Sequence, residues 1–253
     1  MYFSSLPKVH LFGIQNEASG EQINYVLDEN ELLDKGINGT LGLVFDAIKK
    51  FNKGEKHLKL TCDNAVGQNK NNVTLWLCLY LVIMGNYESV ELSTMIAGHT
   101  KFKVDGNFGM IKKRYRKSTI FSKKDFVRVV EESSSLNKAQ CYESGQDFQY
   151  LDFKVLEKYF NKLFKIRKYH HFFFSADNLG VVKVKEFVDS DWEEFDLLKT
   201  EGREREEVIE DIRSLVFSIL EPKPLSLERE KYLQEKIRPL AREEFRDGAI
   251  LRI

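Results

Sequence analysis

A polar loop between two predicted secondary-structure elements carries the densest set of binding side chains. Residues 62–72 read Cys-Asp-Asn-Ala-Val-Gly-Gln-Asn-Lys-Asn-Asn, with five amides and one lysine. Asp63 ends a predicted strand, where open α/β sheets bind ligands, and an apolar helix follows. Amides and an ammonium at a helix N-terminus suit an anion such as phosphate. The predicted contacts to phosphate or substrate are Asn64, Gln68, Asn69 and Lys70. The alternative is a polar connection whose side chains only cap the helix.

A second string, residues 98–105, follows a strand predicted at residues 89–97 and reads Gly-His-Thr-Lys-Phe-Lys-Val-Asp. If that strand runs parallel to the strand before Asp63, His99 and Asp105 reach the same edge of the sheet. Paired carboxylates could hold Mg²⁺ or Mn²⁺, and two such ions clamp the reacting oxygens in phosphodiester chemistry. The alternative is that His99 and Asp105 hydrogen-bond the loop and cap the next helix.

A third feature is a basic segment, residues 101–128, which holds ten Lys or Arg against two acids, a local charge of +8. Aromatic residues interleave with these cations. Cations neutralise phosphates and aromatic rings stack on bases, so the segment predicts nucleic-acid binding, with DNA as the candidate partner. The predicted contacts are Lys101, Lys112, Lys113, Arg114, Arg116 and Lys117. A solvated helix face with an apolar underside is the alternative.

The whole-chain composition predicts a globular protein. The 253 residues are 42% apolar and 31% charged, which excludes a disordered chain. The 39 basic and 39 acidic residues cancel, so only a local patch could attract nucleic acid. Much of this cancellation is between two segments, because residues 189–211 carry a net charge of −8 and the basic segment, residues 101–128, carries +8.

Cysteine usage and hydropathy indicate an intracellular protein, nuclear or cytoplasmic, with no membrane partner. Three widely spaced cysteines without a CxxC motif argue against a disulfide framework and a structural zinc site. The first residues lack the pattern of a secretory signal. The longest apolar stretch, residues 73–84, is shorter than the roughly 18–20 residues that span a bilayer.

Hydrophobic periodicity predicts the order β-β-α-β-α-β over the first hundred residues. These elements are a hairpin at 9–14 and 22–27, a helix at 41–51, a strand at 58–62, a helix at 69–85 and a strand at 89–97. The later predictions are helices at 108–116, 122–132, 153–164, 204–220 and from 226, and a hairpin at 171–174 and 181–187. We therefore expect an α/β core over residues 1–135 and a smaller α+β extension over 136–253. The pair His170-His171 is interpreted as structural, because neighbouring strand residues point to opposite faces.

Several strings, in this order, resemble a family of uncharacterised transposon-derived proteins with an RNase H-like, DDE-type transposase/integrase core. The strings are residues 11–14, 24–29, 63–71, 98–102, 108–109, 168–172 and 236–239. The resemblance runs from about residue 2 to residue 239. Residues 63–71 and 98–105 are its most specific parts.

The resemblance implies that three acidic residues hold two divalent metals for DNA strand transfer. By position, Asp63 matches the second acid and Asp105 is a candidate third, with His99 as its neighbour or rival. Mg²⁺ or Mn²⁺ is the implied cofactor if that site is intact. In the family the first acid lies on a first strand upstream of Tyr2, so we expect an RNase H-like mixed sheet that lacks this central strand.

Without a central strand, the strand at residues 9–14 must pair directly with the strand at 58–62, or another chain must fill the gap as in a homo-oligomer. Losing one carboxylate leaves two metals with too few ligands. The expected function is a truncated or domesticated transposase-like protein that does not transfer strands. The alternative is a non-catalytic nucleic-acid-binding module that uses residues 101–128.

Overall fold

The computed structural model describes residues 5–65, 67–95, 103–142, 148–240 and 243. The strands are β1 (Val9–Gln15), β2 (Gln22–Asp28), β3 (His57–Cys62), β4 (Ser89–Thr94), β5 (Asn137–Cys141), β6 (Tyr150–Leu151), β7 (His171–Ser175), β8 (Val181–Lys185), β9 (Glu193–Asp196) and β10 (Ile219–Leu220). The α-helices are α1 (Ile37–Phe51), α2 (Asn72–Ile83), α3 (Lys103–Tyr115), α4 (Lys123–Ser133), α5 (Arg205–Arg213) and α6 (Leu227–Tyr232). Short 3₁₀ turns cover Phe153–Lys158, Ile166–Lys168, Ala176–Asn178 and Arg238–Leu240, and a π-helical turn covers Leu233–Ile237. The chain is thus a mixed α/β protein.

Two compact units, each made of separated segments, divide the chain. Unit 1 comprises residues 1–33, 101–149 and 221–253, and unit 2 comprises residues 34–100 and 150–220. This division differs from the sequence-based one at residue 135. The reason is long-range strand pairing, because β5 follows residue 135 and yet pairs with β2 near the start of the chain.

Unit 1 contains a three-stranded sheet in the order β1-β2-β5. The predicted hairpin is confirmed, with β1 antiparallel to β2, while the parallel strand β5 was missed. Its sequence, Asn-Lys-Ala-Gln-Cys, has little strand propensity.

Buried amide side chains hold unit 1 together where its sheet meets α3. Gln22, Asn24, Asn107 and Asn137 are all at most 5% exposed. The Gln22 amide donates to Asn24 Oδ1 (2.7 Å), and Asn107 donates to Gln22 Oε1 (3.0 Å). Asn24 in turn donates to Asn137 Oδ1 on β5 (3.3 Å). Each polar group would be costly to bury without a hydrogen-bond partner. The network supplies these partners and so fixes the positions of β2, β5 and α3 relative to one another.

Helix α4 begins as predicted. Ser122 is its N-cap and accepts from the Asp125 backbone N–H (3.1 Å), while the Asp125 carboxylate accepts from the Ser122 backbone N–H (3.1 Å). This capping box satisfies two otherwise unpaired donors. Val130 of α4 packs with Val26 and Ile111 in the small core of unit 1.

Unit 2 contains a five-stranded sheet in the order β3-β4-β7-β8-β9. Strands β3 and β4 run parallel, and each further pair is antiparallel. One face carries the apolar residues of every second position, such as Val90, Leu92, Phe172 and Phe174, and belongs to the main core. Helix α2 packs in that core with all residues from 73 to 83 buried. The opposite face is mostly polar, and Phe173 is an apolar residue on it.

The strand order tests how the sheet accommodates the central strand that we expected to be missing. Among the described residues β1 pairs only with β2 and β3 pairs only with β4, so the direct pairing of residues 9–14 with residues 58–62 is wrong. Each of the two strands is the edge of its own sheet. An unpaired edge exposes a row of backbone donors and acceptors.

Two predicted helices are wrong in extent. Residues 153–164 begin with a short 3₁₀ helix, after which the Asn161 N–H binds the Leu197 carbonyl (2.6 Å) and the Lys199 N–H binds the Tyr159 carbonyl (2.8 Å). Pairing across to another segment therefore replaces hydrogen bonding along a helix. Similarly, α5 ends at Arg213, because β10 pairs with β6.

None of the described helices combines the length and apolar character needed to cross a membrane. The three cysteines are free thiols, as their spacing predicted.

We predict that Asn107→Ala lowers the free energy of unfolding by about 1–3 kcal/mol, because it leaves the buried Gln22 carbonyl oxygen unpaired. Urea unfolding measures this loss. Asn178→Ala, at an exposed turn position, is the matched control and should change stability by less than about 0.5 kcal/mol. Equal stability of the two variants would show that the amide network does not stabilise unit 1.

Candidate functional site

The strand-loop-helix predicted around Asp63 is present in unit 2. β3 ends at Cys62, and α2 begins after Asn71, whose side chain caps the helix by accepting from the Thr74 N–H (3.1 Å). The cap and the apolar sequence of α2 explain why the helix starts at Asn72 and not at Asn69. Asp63 therefore does lie at the carboxyl end of a strand whose neighbour, β4, is parallel.

The Asp63 carboxylate is exposed, and one of its oxygens is engaged by the loop itself. Oδ1 accepts from the Ala65 N–H (3.1 Å) and from the Asn69 side-chain amide (2.6 Å). Asn69 thus fixes the loop, while the helix cap that the structural alternative expected comes from Asn71. The neighbouring Cys62 is no nucleophile, because burial, reinforced by the Asp63 charge, raises the pKa of its thiol to about 12.

The other polar residues of the loop mostly face protein. Lys70 is 1% exposed and its ammonium donates to the Arg167 carbonyl (3.0 Å), so it differs from the exposed phosphate contact that the sequence predicted. Burial lowers the Lys70 pKa. Gln68 donates to the Lys35 carbonyl (3.1 Å). Asn64 keeps a buried side-chain oxygen without a hydrogen-bond partner among the described residues.

The proposed third acid belongs to a different part of the chain. Asp105 is exposed in the first turn of α3 in unit 1, whereas Asp63 is in unit 2. His99 lies outside the described residues. Within those residues, no group of three or more His, Cys, Asp or Glu is placed to hold a metal ion. The local arrangement around Asp63 therefore supplies one carboxylate, with one oxygen already hydrogen-bonded, and we derive no catalytic step through a metal.

The basic segment forms a cluster at the end of α3. We define the α3 basic cluster as Lys112, Lys113, Arg116 and Lys117, which are all exposed. The helical hydrogen bonding continues past the end of α3, because the Arg116 N–H donates to the Lys112 carbonyl (3.2 Å). Residues four positions apart therefore lie on adjoining turns, which brings the four cations close together. Four cations at a helix C-terminus also complement the helix dipole.

The α3 basic cluster has no ion pair among the described residues, whereas three other cations of the segment, Arg114, Lys123 and Arg128, are paired. Arg114, which was also predicted to bind nucleic acid, pairs with Glu132. Lys123 pairs with Glu31 and is half-buried. Lys101 lies outside the described residues. Six of the eleven acids of residues 189–211 pair with cations in the described part of unit 2, for example Asp211 with Arg203 (2.8 Å). The cluster therefore keeps its charge for another partner.

Polar residues alternate along β3 and β4, and they form a group of polar side chains that the sequence analysis did not identify as a candidate site. Lys59, Glu91, Ser93 and His171 lie on the polar face of the unit 2 sheet, where the register pairs Lys59 with Glu91 and Ser93 with His171. The polar positions were visible in the sequence, but the pairing of β4 with β7 was not.

We predict that Lys70→Ala lowers the free energy of unfolding by about 1–3 kcal/mol and leaves nucleic-acid affinity unchanged. The buried Lys70 side chain loses its packing and its hydrogen bond to the Arg167 carbonyl. Thermal unfolding and a DNA titration measure the two effects. Lys154→Ala, at an exposed lysine of unit 2, is the control for charge loss. A Lys70→Ala protein of native stability that loses DNA affinity would contradict a structural role.

Comparisons with known proteins yield one match. A family model described as a domain of unknown function (DUF7869) matches residues 4–190. No curated protein and no solved structure matches the chain. Because the family model covers well over half of the 253 residues, the chain belongs to the DUF7869 family.

Proposed function

We propose that this protein is a nucleic-acid-binding module that contacts the phosphate backbone through the α3 basic cluster. The observation that carries the proposal is the set of four exposed cations without an ion pair among the described residues. Tyr115, on the same turns, is 50% exposed and offers an aromatic face beside them. Such a combination binds phosphates and stacks on bases without reading sequence.

Counterion release explains the affinity that such a cluster provides. Each phosphate that a lysine or arginine neutralises frees about 0.9 of a condensed cation from duplex DNA. Four contacts therefore give a slope of roughly −3 to −4 in a plot of log affinity against log salt concentration. Ion-paired cations such as Arg114 contribute less, because binding DNA would cost their existing contact.

A domesticated, transposase-like origin is part of the proposal. The resemblance of residues 63–71 and 98–105 to an RNase H-like, DDE-type core supports it, together with the parallel pair β3 and β4 that ends at Asp63. A protein of this origin would retain DNA as its partner and act inside the cell, in the nucleus or the cytoplasm. In this role it binds DNA without strand transfer.

A second candidate function is metal-dependent phosphodiester transfer. The position of Asp63 at the carboxyl end of β3 favours it, with Mg²⁺ or Mn²⁺ as the ion. Asp105 and His99 are the further residues that the resemblance implies for this function. The engaged Oδ1 of Asp63 and the assignment of the two carboxylates to different units make us rank it second.

We predict that replacing Lys113 and Lys117 by alanine weakens duplex DNA binding and reduces the salt slope by about 2, because two phosphate contacts disappear. Fluorescence anisotropy with a labelled 20-base-pair duplex at several salt concentrations measures both quantities. The matched control replaces Lys154 and Lys158, two exposed lysines of unit 2. Equal slopes for both double variants would remove the α3 basic cluster from the interface.

We also predict that chelation of divalent ions leaves DNA affinity unchanged, and that incubation of linear or branched DNA with Mn²⁺ yields no cleavage product. The physical reason is that lysine and arginine need no ion to bind phosphate. Denaturing gels with end-labelled DNA detect cleavage. A product that appears with Mn²⁺ and disappears in Asp63→Ala would favour the second candidate function.

A further inference from the structure

The polar face of the unit 2 sheet carries a cavity of about 500 Å³. The strands β3, β4 and β7 form its floor, and the segment that follows β8 forms one wall. Its lining residues are Lys59, Thr61, Ser93, Thr94, Met95, His170, His171, Glu186, Phe187 and Val188. The cavity lies on the opposite face from the apolar core, and nothing in the proposed function uses it.

Both histidines of the His170-His171 pair line this cavity, which corrects the expectation that they point to opposite faces. Strand alternation applies to His171, the first residue of β7, and puts it on the polar face beside Ser93. His170 precedes the strand, so the alternation does not govern its direction. Its imidazole Nδ1 lies 3.2 Å from the Thr94 carbonyl oxygen at the end of β4.

A chain of hydrogen bonds sets the tautomer of His171. The Lys59 ammonium pairs with the Glu91 carboxylate (3.1 Å), and the Ser93 hydroxyl donates to that carboxylate (3.1 Å). The Ser93 proton is thus used, and the Ser93 oxygen can only accept from His171 Nδ1, 3.0 Å away. His171 therefore carries its proton on Nδ1 and presents the Nε2 lone pair.

His170 has the same tautomer for a simpler reason. Its Nδ1 lies 3.2 Å from both the carbonyl and the hydroxyl oxygen of Thr94. The carbonyl can only accept, and the hydroxyl donates to the His170 carbonyl (3.5 Å), so Nδ1 carries the proton and Nε2 is an acceptor. Burial lowers the pKa of both imidazoles, with the nearby ammonium groups of Lys70 and Lys185 adding to the effect on His170 and His171 respectively. Both rings are therefore neutral at pH 7.

The cavity also has an aromatic pair. The rings of His170 and Phe187 are close to parallel, at 21°, with centroids 6.4 Å apart. The two rings therefore present nearly parallel aromatic surfaces in one cavity. Phe187 is 46% exposed and lies on the segment after β8, so its ring is open to a ligand.

We propose that this cavity binds a nucleobase that carries an exocyclic amino group. The base stacks on His170 and Phe187, and its amino group donates to the acceptors of the wall, His171 Nε2 and the Glu186 carboxylate. Lys59, at the edge of the cavity, meets the phosphate. Adenine, cytosine and guanine have such an amino group, and uracil and thymine lack it. This site is on unit 2, whereas the α3 basic cluster is on unit 1.

The same chemistry could come from a free nucleotide or from an unpaired nucleotide in a strand. Calorimetric titration of the full chain with AMP, UMP and a short oligo-deoxyadenylate separates these sources. If the ligand is a free nucleotide, we expect AMP to saturate one site and the oligonucleotide to bind no more tightly than AMP. An unpaired nucleotide predicts tighter binding of the oligonucleotide, with AMP as a competitor. Either result supports the proposal.

Two comparisons test the assignment of the site. We expect UMP to bind about fivefold more weakly than AMP, since it offers no amino group. Phe187→Ala should weaken AMP binding about tenfold through the loss of one base–aromatic stack. Phe164→Ala, at another exposed phenylalanine of unit 2, is the matched control and should leave it unchanged.

The outcomes for this site and for the α3 basic cluster are distinguishable. The double substitution of Lys113 and Lys117 should leave AMP affinity unchanged, and Phe187→Ala should leave duplex DNA affinity unchanged. Absence of saturable AMP binding would overturn the proposal, whether or not the oligonucleotide binds through the α3 basic cluster. Equal effects of Phe187→Ala and Phe164→Ala on AMP binding would also overturn the proposal.

Discussion

The burial of α2 on all sides is the constraint on which most of unit 2 depends. All residues of the helix from 73 to 83 are buried, so no side of it faces water, and other elements must cover its whole circumference. The sheet covers one side through Phe172 and Phe174, and the segment after residue 150 covers another through Phe153 and Leu156. The loop before α2 must then turn tightly from β3, which is why Lys70 ends up buried and Asp63 stays at the surface.

The same burial divides the unit 2 sheet into two chemically different faces. Because the core side holds the apolar residues of β3, β4, β7 and β8, the polar residues of these strands must share the other face. Strand pairing then brings together residues far apart in sequence, such as Ser93 and His171. A cavity lined by hydroxyls, imidazoles and charged groups is the consequence. The strands supply its hydroxyls and His171, and the segment after β8 adds Glu186 and Phe187.

Unit 1 uses polar burial where unit 2 uses apolar burial. The amides of Gln22, Asn24, Asn107 and Asn137 satisfy one another at the contact of β2, β5 and α3. A network of this kind tolerates few alternative arrangements, because each displaced amide loses a partner. It therefore orients α3, whose exposed end carries the α3 basic cluster. The placement of the proposed nucleic-acid interface thus depends on hydrogen bonds in the interior of its own unit.

Local sequence determined the elements whose signals lie within a few residues. The hairpin of β1 and β2, the start of α4 and the β3-loop-α2 connection follow from alternation, caps and turn residues, and the structure confirms them. The charge pattern also identified the α3 basic cluster, because exposed cations on neighbouring turns need no tertiary partner.

Only the tertiary structure decided which distant segments meet. The pairing of β5 with β2, the cross-strand hydrogen bonds of Asn161 and the assignment of Asp63 and Asp105 to different units depend on partners many residues away. The burial of Lys70 also depends on the tertiary structure, because nothing in the sequence distinguishes Lys70 from an exposed lysine. Periodicity reports which side of an element is apolar, and the free energy of packing all elements at once selects what that side contacts.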